Sequence, residues 1–68
     1  MNDTTEAKLA VLDAMNISLG KITNVQIRLT LAGEADLANQ VDTHRKALLA
    51  QIEKLQGQVA DQWTVKAA

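Results

Sequence analysis

Cysteine and proline are both absent from this 68-residue chain, and tryptophan 63 is its sole aromatic residue. Without cysteine there can be no disulfide and no thiolate metal site. His44 is the only histidine, too few for a stable zinc site within one chain. Sixty-eight residues make a single domain, 1–68, that buries about 60% of the surface exposed by its unfolded form. Small proteins offset so small a core with disulfides, a metal or self-association. With the first two removed, self-association is the expected remedy, most simply as a homodimer.

Charge of one sign is also lacking. Seven basic and eight acidic residues leave a net charge of −1, and neither sign forms a block, so nothing electrostatic calls for nucleic acid or a membrane surface. His44, Arg45 and Lys46 are consecutive, so on a helix they point to different sides and read as a solvated face. The stretch "MNDTTEAK" is polar and acidic, unlike the basic start of a signal peptide. The apolar run near it, Leu9 to Leu12, is far shorter than the ~20 residues of a membrane span. The expectation is a soluble, cytoplasmic protein.

Means for catalysis are scarce too. Ser18 is the only serine, it has no G-x-S-x-G setting, and there is no cysteine to replace it. The carboxylates are spread along the chain, and Gly20, Gly33 and Gly57 are too far apart to cradle a phosphate. His44 has Gln40, Val41, Ala47 and Leu48 at its i±3 and i±4 places, none a useful ligand partner, and it borders the apolar stripe of its segment. No cofactor, no metal and no enzymatic activity are expected.

What the chain does have is helical periodicity. From Glu34 onward, Leu37, Val41, Leu48, Ile52, Leu55 and Val59 recur at spacings of three, four or seven, with good helix formers between them. A helix over about 34–62 follows, with Asp42 and Lys46 in the favourable i, i+4 order, worth about 0.3 kcal/mol. Gly57 is its weak point, costing about 1 kcal/mol relative to Ala, but Val59 and Trp63 continue the stripe past it. Upstream, Asp3 and Glu6 form a variant capping box that starts a helix at about residue 4.

Residues 16–31 are ambiguous. Val25, Ile27, Leu29 and Leu31 alternate with polar residues as in a half-buried strand, and the segment is rich in β-branched side chains. That reading is α+β, with a strand at about 25–31. A strand followed by two helices resembles the ribbon–helix–helix architecture over residues 24 to 60, in which paired strands of a dimer read the major groove. The resemblance implies a DNA-binding regulator with Gln26, Arg28 and Thr30 as its DNA contacts. The chain departs from it in lacking a break between the two helices, where only Asp42 or Thr43 offers a cap, and in lacking a basic balance.

The helical reading has more behind it. Leu12, Met15, Leu19, Ile22, Gln26 and Leu29 follow a strict three-four spacing, with Val11 and Val25 widening the stripe. Ala32-Gly33 then falls where a C-cap glycine belongs. The expected fold is all-α: an antiparallel hairpin of helices at about 4–31 and 34–62, dimerising into a four-helix bundle. Leu9, Ile17, Ile27 and Leu31 fall away from the main stripe and, with Trp63, are the candidate contacts to a second copy or a protein partner. The functional expectation is a small interaction, structural or regulatory module.

Overall fold

A computed structural model describes the backbone of residues 3–67 and the side chains of residues 4–61. Residues 16–31 are helical throughout: α1 spans Asp3–Leu31, 29 residues, and α2 spans Ala35–Ala67, 33 residues. There is no strand among the described residues, so the α+β alternative is overturned, and the ribbon at 24–31 with it. Three side chains that count against helix propensity are accommodated by bonds to the turn below. Thr23 Oγ1 donates to the Leu19 carbonyl at 2.8 Å, Thr30 Oγ1 to that of Gln26 at 2.9 Å, and Asn16 Nδ2 to that of Leu12 at 2.9 Å. Packing settles the rest, because only a helix brings Leu12, Met15, Leu19, Ile22 and Leu29 to one side, where each is buried or half-buried.

The helices lie antiparallel, and their inward residues repeat every seven. On α1 the two series are Thr5, Leu12, Leu19, Gln26 and Lys8, Met15, Ile22, Leu29. On α2 they are Ala38, Arg45, Ile52, Val59 and Val41, Leu48, Leu55. Alternating steps of three and four make the seam of a coiled coil. Leu12, Ile52 and Val59 form its buried centre, with Leu9, Met15, Leu19, Leu48 and Leu55 packed against them.

This phase corrects the sequence reading at several positions. Ala38, not Leu37, is the buried residue at the start of α2; Leu37 is about 100° further round and nearly half exposed. Val11 and Val25 do not widen the core stripe of α1, for each sits on its flank and is about half exposed. Leu9 packs into the core rather than standing free for a partner. The second helix runs to Ala67 rather than about residue 62. The first begins at Asp3, whose side chain, and with it the capping box, lies outside the described residues.

The turn is a Schellman motif. The Glu34 amide donates to the Leu29 carbonyl at 2.9 Å, and the Gly33 amide to that of Thr30 at 3.1 Å. Gly33 has φ +79°, a conformation in which an L-residue is strained. Glu34 then serves as the N-cap of α2, its carbonyl accepting from the Ala38 amide at 2.9 Å.

The resulting rod measures 52 × 15 × 13 Å. Its accessible surface of 4962 Å² exceeds the ~4,200 Å² expected of a compact 7.4 kDa monomer. Only four hydrophobic residues among those described are buried, Leu12, Ala38, Ile52 and Val59. Two variants test this account by thermal unfolding followed by circular dichroism. Gly33→Ala is expected to cost about 1 kcal/mol by straining the turn. Ile52→Ala is expected to cost about 3 kcal/mol, because Ile52 is the most deeply buried side chain of the seam.

Candidate functional site

Two features stand out from an otherwise regular hairpin: a polar layer inside the seam near the turn, and an apolar outer face on α1. Two of its members, Gln26 and Arg45, occupy seam positions that a coiled coil ordinarily fills with aliphatic side chains, and Asp42 lies beside them. Gln26 of α1 donates from Nε2 to Asp42 Oδ1 of α2 at 3.1 Å. Arg45 donates from Nε to Gln26 Oε1 at 3.1 Å, and from Nη2 to Asp42 Oδ1 at 2.8 Å. Lys46 Nζ lies 3.1 Å from Asp42 Oδ2 on the solvent side. Asp42 and Arg45 are about one quarter exposed, Lys46 mostly exposed.

The Arg45 guanidinium, and next the Lys46 ammonium, hold the Asp42 carboxyl at about 2, well below its usual 3.8. Partial desolvation opposes them, and the Gln26 amide adds to their effect. Chemically the cluster is closed on itself. A carboxylate held near 2 is a poor proton acceptor at neutral pH, and the donors around it are committed to it. Its evident work is to align the helices.

The Asp42–Lys46 pair was legible from its i, i+4 spacing; Gln26 was legible as a seam position, but not as one that bonds across the hairpin. Arg45 was missed. The seven-residue gap between Val41 and Leu48 holds it, and continuing the three-four alternation would have found it. His44, read as bordering the stripe, is exposed beside it. Among the described residues Ser18 and His44, both exposed, share no hydrogen bond, and no group of three His, Cys, Asp or Glu side chains could hold a metal.

The DNA contacts of the ribbon reading are not one surface. Gln26 is turned inward on Asp42 and Arg45, while Arg28 and Thr30 are exposed at different angles of α1. Among the described residues no helix is long and apolar enough to cross a membrane.

The outer face is the other feature. Ile17 and Ile27 are each 54% exposed and Leu31 is 82% exposed. Val11 and Val25 on α1 and Leu37 on α2 complete the large exposed hydrophobics among the described residues. Val11, Val25 and Leu37 flank the seam, and the three that lie away from it, Ile17, Ile27 and Leu31, are all on α1, so the hairpin has one apolar helix back and one polar one. An open groove of about 360 Å³ beside the turn is lined by Thr23, Gln26, Ile27, Thr30, Leu31 and Arg45, joining the polar layer to this face. The fourth and fifth candidate contacts differ: Leu9 belongs to the core, and the side chain of Trp63 lies outside the described residues.

Compared with known proteins, the chain matches no family model, no curated protein and no solved structure.

Because the folded-state pKa of Asp42 is lowered, its contribution to stability is fully present above about pH 4 and is lost as pH falls through about 2. Urea denaturation of the protein and of Asp42→Asn across pH 2 to 6 checks this. The difference in stability between the two is expected to shrink toward acid, and a constant difference contradicts the assignment.

Proposed function

We propose that this hairpin is a non-catalytic, self-associating interaction module of structural or regulatory role, which pairs through the outer face of α1 to give a four-helix assembly. The observation that carries the reading is the asymmetry of the two helix backs. The outward series of α1, Ala10, Ile17, Asn24 and Leu31, has two large apolar side chains, with Ile27 beside it, whereas the corresponding series of α2, Asp36, Thr43, Ala50 and Gly57, has none. Scattered exposed apolar residues are ordinary on any surface, but a one-sided set on a protein with four buried hydrophobics indicates a covered face. Association also addresses the surplus of surface over a compact monomer of this mass. A cytoplasmic setting belongs to the same reading, since a module without cysteine has no need of an oxidising compartment.

Multi-angle light scattering over a concentration series tests it. A mass approaching twice 7.4 kDa is expected by about 100 μM, with dissociation on dilution into the micromolar range. Ile17→Glu and Leu31→Glu are each expected to weaken association at least tenfold, since each buries a charge in the contact. Helicity at low concentration should be unchanged, because both side chains are exposed in the hairpin. A mass of one chain at about 100 μM contradicts the reading.

A further inference from the structure

The outer face of α1 carries a charge pattern as well as an apolar one. Its centre is the series Ala10, Ile17, Asn24, Leu31, repeating every seven residues on the side opposite the Leu12–Leu19 seam. Beside that series lie Glu6 and Asp13 in the N-terminal half, and Lys21 and Arg28 in the C-terminal half, all exposed. Lys8, the base out of this order, is half-buried in the seam. The ion pairs shown among the described residues are both made by Asp42, so these four charges are not spent on one another. The outward back of α1 is thus acidic toward its start, basic toward its end, and apolar through the middle.

We propose that two copies of the chain pair antiparallel, α1 against α1, about a two-fold axis at Ile17, an inference that rests on the self-association proposed above. With Ile17 on the axis, a residue meets the one whose number complements it to 34. Lys21 then lies level with the partner's Asp13, and Arg28 with the partner's Glu6. Opposite charges fall within the roughly 8 to 10 Å over which exposed charges act at ordinary salt. Side-chain sizes match on the central line as well, where Asn24 comes level with the partner's Ala10. Ala14 and Gly20 keep the crossing narrow on either side of the axis.

A parallel pairing does the reverse. It sets Asp13 level with Asp13 and Lys21 level with Lys21, repelling at the charged levels. Like any two-fold pair, the antiparallel arrangement is isologous and closed, so it ends at two copies rather than growing. Its area is adequate. A helix of 29 residues is about 43 Å long, and on a rod 13 Å thick this covers about 1,100 Å² across both copies, just above the ~1,000 Å² that a specific interface requires. The association is accordingly weak and salt-sensitive, and α2 lies on the outside of each copy.

Cysteine cross-linking of the full chain tests the geometry against a background free of native thiols. Ala10→Cys and Asn24→Cys both alter exposed positions, so each variant should fold, with helicity by circular dichroism as the check. In the antiparallel pair the two copies of either cysteine are 14 residues apart along the contact, about 21 Å, beyond the ~7 Å limit for a disulfide. Neither variant alone is therefore expected to cross-link under mild oxidation, whereas an equimolar mixture should form the mixed disulfide. Self-linking of either variant alone shows a parallel pair and overturns the proposal. A dimeric mass in light scattering with no link in the mixture overturns the geometry while leaving self-association intact. A monomeric mass at about 100 μM overturns both.

Discussion

The hydrogen bonds that Gln26 makes with Asp42 and Arg45 set the register on which every other layer of the hairpin depends. Aliphatic side chains pack nearly as well one turn up or down, but an amide and a guanidinium in the seam, with a carboxylate beside them, satisfy one another in one alignment. Once Gln26 is level with Asp42, the seven-residue series bring Leu12, Ile52 and Val59 together in the opposite half of the rod. The turn points to the same alignment, because the Schellman bonds at Gly33 reverse the chain in three residues and leave little slack. A local motif and a long-range polar contact thus agree, which is the consistency a uniquely folded small protein needs.

A two-helix rod has an inherent weakness. Each helix can bury one stripe against the other, and the backs of both remain in water. Here the backs differ. That of α2 is polar or small, as expected of a permanent surface, while that of α1 places isoleucine and leucine where solvent would meet them. Within α1 the inward and outward faces divide the labour. The inward one makes the hairpin; the outward one has the exposed Ile17 and Leu31 and the acid-to-base gradient on which the proposed self-pairing rests. In the proposed pair that helix would be the middle of the assembly, while the polar layer keeps it in fixed alignment with its own hairpin partner.

Much of the fold was legible in the chain. The three-four spacing from Leu12 to Leu29, the continuing stripe from Val41 to Val59 and Gly33 between them describe a hairpin without reference to coordinates. The competing strand pattern at residues 25 to 31 was a true signal of composition, since alternation and β-branching are both present. It lost because helix formation puts Leu19, Ile22 and Leu29 on the core side together, and because Thr23 and Thr30 satisfy their hydroxyls within the helix. Ile17, Ile27 and Leu31 could be marked as lying off the stripe from spacing alone, and they are exposed.

The sequence by itself determined that there are two helices, where they reverse, and that neither disulfides nor thiolate metal sites support them, because these follow from residue identity and local periodicity. The tertiary structure decided the phase: Ala38 inside and Leu37 outside, Val11 and Val25 on the flank, Leu9 in the core, Arg45 in a seam position. A shift of one residue turns a side chain by 100° around a helix, and apolar residues on adjacent positions satisfy the periodicity almost equally well. Only the second helix, held in register by Asp42 and Arg45, distinguishes the inward residue from its neighbour.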